Sequence, residues 1–343
     1  MGSSNPLGMA ADPPCSIMTT TENSTGGAQT TYREITKSWD LRLPLVSIIS
    51  PVYNQREYLE TLLNGFLTQV SAFPFEIIIR DDGSDDGSRE ILCAYQEKYP
   101  ELIRLSLLDT NSFGHLRPIQ ELLQLSRGAF IAPCDGDDYW VSPEKIQRQA
   151  ELLQSNTNVG LVHHPALRTP VRALTAPNST AEQRKLVSKR KPMHAVWSTV
   201  MFRKIELPWI EVPIQTAGSG DFITMNLVTA HSSTFFLEDK LWAVKRGSEK
   251  PSDASGAYKS MASRLVAAKH LKQMTNSERA VRLTSQALSR AVDISGLNYA
   301  ESQRALRFAS WSRRRRLLEY LVKQLWRACL NLFPARISTR EEK

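Results

Sequence analysis

Six consecutive residues, Asp135-Gly136-Asp137-Asp138-Tyr139-Trp140, crowd carboxylates into one short stretch. Carboxylates this close repel one another unless a cation sits among them. Oxygen ligands suit hard divalent ions, Mg²⁺ or Mn²⁺, and Mg²⁺ is commonly held by one or two carboxylates together with substrate phosphates. The same hexamer also reads as a solvated acidic turn, or as a phosphatase-type Asp-x-Asp nucleophile pair. A second acidic loop, Asp81-Asp82-Gly83-Ser84, ends an apolar run. A carboxylate there can accept hydrogen bonds from the N–H groups of a nucleobase, and Gly83 permits a tight turn close to a ligand. An ordinary turn capped by its own side chains is the alternative. Asp221 stands on a separate Gly-flanked segment, Gly218-Ser219-Gly220. A lone carboxylate there suits a general base. It also reads as a helix N-cap, because Phe222, Ile223, Met225, Leu227 and Val228 follow at apolar spacing.

The elements that must position these groups alternate. Leu45 to Ser50 is a β-rich run ended by Pro51. Leu59, Leu62, Leu63, Phe66, Leu67 and Val70 then form a helical stripe, with Asn54 and Glu57 as N-cap and capping-box partner. Phe75 to Arg80 is a nearly continuous apolar strand, of the kind buried on both faces by helices. A helix is expected from Ser88 to before Pro100, a strand over 102–108, and a helix over 118–125 with Gly128 as its C-cap. A strand over 129–133 follows. Ser142-Pro143 reads as N-cap and first residue of a helix reaching Leu153. Residues 165–192 read as a polar, basic loop, 193–247 as mixed structure, and the chain beyond about 255 as helical.

Such alternation implies an α/β fold with a largely parallel sheet. Ligands in these sheets bind outside the carboxyl ends of the strands. Pro51 to Asn54, Asp81 to Ser84 and Cys134 to Asp138 all lie at expected strand ends, so three loops converge on one edge.

Composition bounds the partners. The chain has 343 residues with 43 basic against 35 acidic, a net charge of +8, which favours an anionic partner without choosing one. The cysteines, Cys15, Cys93, Cys134 and Cys329, form no zinc knuckle and suggest no disulfide framework, so a reducing compartment is expected. His163-His164 lacks neighbouring ligand residues and is expected to be a core or loop pair. No secretory signal or long apolar span is visible. Residues 1–41, rich in Ser, Thr, Gly and Pro, read as a disordered arm.

The words and their order carry a resemblance. Val46-Ser47-Ile48-Ile49-Ser50-Pro51-Val52-Tyr53-Asn54, then Arg80-Asp81-Asp82-Gly83-Ser84-Asp85-Asp86, then Asp135 to Trp140 resemble the family 2 glycosyltransferases of the GT-A fold. Arg127 to Ala132, Ser142-Pro143 with Lys145 and Gln147, Ser198 to Arg203 and Gly220-Asp221-Phe222 add to the likeness. The resemblance implies a GT-A-like, Rossmann-type mixed sheet, mainly parallel and flanked by helices, over residues 42–250, with a helical, basic C-terminal extension over 251–343. It implies transfer of a sugar from a nucleotide-diphosphate sugar to an acceptor hydroxyl, with inversion. Pro51 and Tyr53 would line the nucleobase pocket and Asp82 would bond the base. Asp135 would lie against ribose and diphosphate, and Asp137 would hold Mg²⁺ or Mn²⁺. Asp221 matches the position of the family's base, and Trp140 either packs beside the donor sugar or belongs to the core.

One departure stands out. The family often shows a strand ending in Tyr-Arg-x-His, whose His assists the metal. Here the stretch reads Ala243-Val244-Lys245-Arg246-Gly247-Ser248. Arg246 keeps a possible diphosphate contact, but no His stands at the expected place. A catalytically inactive nucleotide-binding or scaffold module is therefore the alternative, with a phosphotransfer enzyme using Asp135 as nucleophile behind it. Arg313 to Arg316 precede Leu317, Leu318, Leu321, Leu325 and Trp326 at helical spacing. That pattern fits either an interfacial helix on anionic lipid or an amphipathic helix packed on the domain. The expected acceptor is a glycan or lipid-linked glycan. The expected location is cytoplasmic, with a peripheral place at the inner face of the plasma membrane open, and no nucleic-acid partner is expected.

Overall fold

The computed structural model describes residue 39 and residues 43–112, 116–169, 185–186, 195–206, 220–230, 232–237 and 242–246. The expected N-terminal arm, apart from residue 39, and the C-terminal extension with its basic helix lie outside the described residues. No described helix is long and apolar enough to cross a membrane.

Eleven strands are described: β1 (Val46–Val52), β2 (Phe75–Asp81), β3 (Ile103–Leu107), β4 (Phe130–Pro133), β5 (Tyr139–Trp140), β6 (Val159–His163), β7 (Ala166–Thr169), β8 (Lys185–Leu186), β9 (Met201–Arg203), β10 (Ser233–Phe236) and β11 (Ala243–Arg246). Between them run α1 (Arg56–Leu67), α2 (Ser88–Lys98), α3 (Arg117–Leu125), α4 (Lys145–Ser155) and α5 (Gly220–Val228). The main sheet has the order β10-β6-β9-β4-β1-β2-β3, and a smaller sheet has the order β5-β11-β7-β8. β1 runs parallel to both β2 and β4, and β2 parallel to β3. Only β9 opposes its neighbours in the main sheet, pairing antiparallel with β4 and β6. The mainly parallel α/β expectation holds.

The central strands are largely apolar because both faces are covered. Ile48, Ile77 and Ile79 face one cluster with Leu59, Leu62, Leu63 and Phe66 of α1 and Ile146, Ala150 and Leu153 of α4. Ile49 and Ile78 face the other, with Ile119 and Leu122 of α3 and Met225 and Val228 of α5. Adjacent residues point to opposite faces of a strand, so a strand between two helical layers has no polar side to offer.

Several local expectations are corrected. Gln55, not Asn54, is the N-cap of α1, and no side chain caps it. Asn54 instead takes a left-handed conformation, φ 50°, and clasps the next loop. Its Nδ2 donates to Asp85 Oδ1 at 2.8 Å, and Asp85 N donates back to its Oδ1 at 3.0 Å. Two such bonds displace the one a cap would make. α4 begins at Lys145, two positions after the expected start. The carbonyls of Ser142 and Pro143 are drawn away to the end of α1, accepting from Gln69 Nε2 (2.8 Å) and Val70 N (2.9 Å). Gly128 does not cap α3, whose C-cap is Ser126 in extended conformation. A Cβ on Gly128 would lie 2.5 Å from Ser47 N, so its small size serves the close approach to β1. Within the expected basic loop over 165–192, β7 and β8 pair antiparallel. Four residues are too few for their alternation to stand out in sequence. Cys134 is free and buried. His163 and His164 are fully buried, packed on Phe236 (4.8 Å) and Trp242 (5.3 Å), as expected of a core pair.

Candidate active site

The loops after β1, β2 and β4 meet at the carboxyl edge of the main sheet. They are stitched together by side chains. Asn54 N donates to Ser84 Oγ (3.0 Å), Gln55 N to Ser88 Oγ (3.0 Å) and Arg56 N to Asp86 Oδ2 (3.0 Å). Gly136 packs so closely on the first loop that a Cβ there would meet Gln55 Oε1 and, at 3.1 Å, the carbonyl of Pro51. Pro51 ends partly buried within β1, while Tyr53 is 46% exposed at the rim.

Asp82 is buried and already engaged. Its Oδ1 accepts from Arg80 Nη1 at 2.7 Å and Ser112 N at 3.1 Å, and its Oδ2 accepts from Ser112 Oγ at 3.1 Å. Arg80, fully buried, also donates Nε to Glu121 at 2.7 Å. A carboxylate so held is fixed in orientation, with lone pairs left to accept. Its neighbour Asp81 serves the turn, accepting from Ser84 N and Arg89 Nε.

Asp135, Asp137 and Asp138 place carboxylate oxygens within 4.8 Å of one another. They are not equivalent. Asp138 is buried, its Oδ2 accepting from Ser198 Oγ at 2.5 Å and its Oδ1 from Arg246 N at 3.0 Å. Burial pushes its carboxyl up to about 6, Lys245 pulling against that and Asp137 adding to it. Asp135 and Asp137 are partly exposed. Burial, then Asp138, Asp137 and Asp221, raise the Asp135 carboxyl well above the usual range, with Lys245 opposing. Two partly exposed carboxylates beside an anchored third, all hard oxygen donors, fit Mg²⁺ or Mn²⁺ completed by phosphate oxygens. Asp135 and Asp137 would hold it.

β11 closes the site. It pairs antiparallel with β5, Val244 opposite Tyr139, which carries its end back over the acidic loop. Arg246 Nη1 donates to the Asp137 carbonyl at 2.6 Å. Its guanidinium lies between the rings of Tyr58 and Tyr139, 4.7 and 4.5 Å from their centroids. Lys245 beside it is partly buried. Burial works against its charge, but Asp138, Asp135, Asp137 and Asp221 outweigh that and hold its ammonium above the ordinary lysine value.

Asp221 lies in the first turn of α5, inside the helix and not at its N-cap. Its charge acts, as the smallest contribution, on both Asp135 and Lys245. Trp140 belongs to the core. It is 3% exposed, edge-on to Phe66 at 4.8 Å, and its Nε1 donates to the Ser198 carbonyl at 2.9 Å. Lys245, Tyr58, Tyr139 and Ser198 were given no role from sequence. Only the pairing of β11 with β5 reveals them.

Residues 47–206 match the family model described as glycosyl transferase family 2. They form a family 2 glycosyltransferase domain. The uncharacterized Mycobacterium tuberculosis protein Rv1520 is 39% identical over 120 residues, covering 35% of this chain and 34% of that protein. The Staphylococcus aureus poly(ribitol-phosphate) beta-N-acetylglucosaminyltransferase TarS is 33% identical over 113 residues, 32% of this chain and 19% of TarS. The match thus spans about a third of the length of the mycobacterial relative, and less of TarS. A crystal structure of S. aureus TarS 1–349 in complex with UDP-GlcNAc aligns with TM-score 0.51 at 22% identity, covering 72% of each chain. The fold is that of the GT-A glycosyltransferases, as the strand order and strand-end loops lead one to expect.

Proposed function

We propose that this chain transfers a sugar from a nucleotide-diphosphate sugar to an acceptor hydroxyl with inversion at the anomeric carbon. What supports the reading is the cluster of Asp135, Asp137 and Asp138 at the carboxyl edge of a GT-A sheet, with Arg246 bonded to the Asp137 carbonyl. Asp82, fixed in orientation by Arg80 and Ser112, accepts an N–H of the base, with Pro51 and Tyr53 lining that pocket. Asp135 lies against ribose and diphosphate. Arg246, held between two tyrosine rings, binds the diphosphate. When bound at Asp135 and Asp137, Mg²⁺ or Mn²⁺ supplies the positive charge that stabilises the departing nucleoside diphosphate, so no general acid is required. Asp221 takes the proton from the acceptor hydroxyl as that oxygen attacks the face opposite the leaving group.

The TarS complex makes a UDP-sugar the first donor to test. A glycan or lipid-linked glycan acceptor fits the reading, with the basic segment around 313–316 reaching anionic lipid at a cytoplasmic membrane face. Residues 42–250 would be the catalytic domain. Titration calorimetry with UDP and GDP, with and without Mn²⁺, tests the donor site. We expect one nucleotide to bind with Mn²⁺, that enhancement to be lost in Asp137→Ala, and Asp221→Asn to keep binding but lose turnover. A folded protein that binds neither nucleotide would overturn the reading. Nucleotide binding without donor turnover would favour an inactive module, a possibility raised by Ser248 standing where the family often has His. Flotation with anionic liposomes, before and after deletion of residues 311–343, tests the lipid contact.

A further inference from the structure

Arg80 is wholly buried near the end of β2, and its guanidinium is shared between two carboxylates. Nη1 donates to Asp82 Oδ1 at 2.7 Å, and Nε donates to Glu121 Oε2 at 2.7 Å. Glu121 stands on α3, its side chain 22% exposed, and its other oxygen accepts from Arg117 Nε at 2.8 Å. The main chain of Asp82 is pinned, its N–H donating to the Val52 carbonyl at 2.9 Å. Its carboxylate can still turn, and Arg80 and Ser112 decide how. A planar guanidinium commonly forks onto both oxygens of one carboxylate. Here it makes one bond to each of two, and its Nη2 has no hydrogen-bond partner among the described residues.

We propose that Glu121 is a positioning residue for nucleobase recognition, acting through Arg80 on Asp82. By drawing Nε to α3, it limits Arg80 to a single bond with Asp82 and leaves that carboxylate turned to accept the N–H of a base. Without Glu121, a buried cation with one carboxylate partner left turns its remaining nitrogens onto Asp82. Both Asp82 oxygens are then taken up, and the base loses its acceptor. Arg80 stands opposite Pro51 in the β1–β2 register, so the relay from α3 ends beside a second residue of the base pocket. The inference deepens the transferase reading and rests on its assignment of Asp82 to the base.

The test is a competition titration of the full chain, with Mn²⁺, between UDP and UDP methylated at N3, whose base has no N–H to give. Should the native protein take GDP instead, GDP methylated at N1 serves the same purpose. The native protein is expected to prefer the unmethylated nucleotide. Glu121→Ala is expected to bind that nucleotide about tenfold more weakly and the methylated one within about twofold of native, so the preference narrows. Glu121→Gln keeps an acceptor for Arg80 Nε and is expected to lose about threefold. Should Glu121→Ala fail to fold, the same ratio in Glu121→Gln decides. An unchanged preference in the folded variant, an equal loss for both nucleotides, or failure of both variants to fold would each overturn the proposal and leave the transferase reading standing. A native protein that binds neither nucleotide, or does not distinguish the methylated one, would overturn the proposal together with the assignment of Asp82 to the base.

Discussion

The main-chain N–H of Arg246 donates to Oδ1 of Asp138 across 3.0 Å, joining residues 108 positions apart. With Ser198 Oγ on its other oxygen, the Asp138 carboxylate is an anchor between β11, the acidic loop and the turn at Ser198. Sequence alone makes Asp138 and Asp137 look alike, but the fold gives them different work.

That difference can be measured. Asp138→Ala strands a buried N–H and a buried hydroxyl, and is expected to lower stability by about 2–4 kcal/mol in urea denaturation. Asp137→Ala, at a partly exposed side chain, is expected to change stability by less than about 1 kcal/mol. Equal losses in the two variants would contradict the anchor role.

Asp82 is half of a buried ion pair with Arg80, whose side chain is wholly inaccessible. Asp82→Ala removes one of two carboxylate partners of that guanidinium and is expected to destabilise the protein by about 3 kcal/mol. Nucleotide binding by this variant should therefore be measured only where it is shown to be folded. A stability unchanged in denaturant titration would mean that Arg80 repacks against Glu121.

Gly128→Ala would force a Cβ to within 2.5 Å of Ser47 N and 2.7 Å of the Val46 carbonyl carbon. Both neighbours are backbone in the central strand β1, which cannot yield without disturbing β2 and β4. The expected loss is about 2–4 kcal/mol, visible as a lower Tm in calorimetry. A Tm within a degree of native would show that the loop before β4 shifts freely.

Lys145 is fully buried, donating to Gln149 Oε1 at 2.7 Å with its Nζ 4.1 Å from the Trp140 ring centroid. Burial pulls its ammonium down to about 7 from an ordinary value of 10.5, and the thiol Cys134 opposes that. Between those values the unfolded chain binds more protons than the folded one, so stability rises with pH across the window. The contribution is present above about 10.5 and is lost as pH falls to about 7. Lys145→Met has no such dependence. The stability of the native protein relative to Lys145→Met is therefore expected to increase from pH 7 to pH 10 in denaturant titrations. A constant difference would show that the Trp140 face keeps the lysine charged.

Much of the scaffold was legible because its signals are local. The stripe from Leu59 to Leu67 marked α1, and the nearly continuous apolar run from Phe75 marked β2 as a strand covered on both faces. Boundaries failed where a distant partner outbid a local one. Asn54 left its capping position for Asp85, and the Ser142 and Pro143 carbonyls left the start of α4 for the end of α1. β7 and β8 were missed because so few residues carry no readable period.

The sequence by itself determined that three polar loops follow three buried strands, and therefore that Asp82, Asp135 and Asp137 gather at one edge with Pro51 and Tyr53. Strand and helix periods are set by neighbouring residues, and a parallel sheet sends all its carboxyl ends the same way. The tertiary structure decided the rest. It engaged Asp82 with Arg80 and Ser112, turned Asp138 into an anchor, and laid Arg246 between Tyr58 and Tyr139. Those relationships depend on sheet order and on the register of β11 against β5, which are fixed by packing between residues a hundred positions apart and leave no pattern in the local sequence.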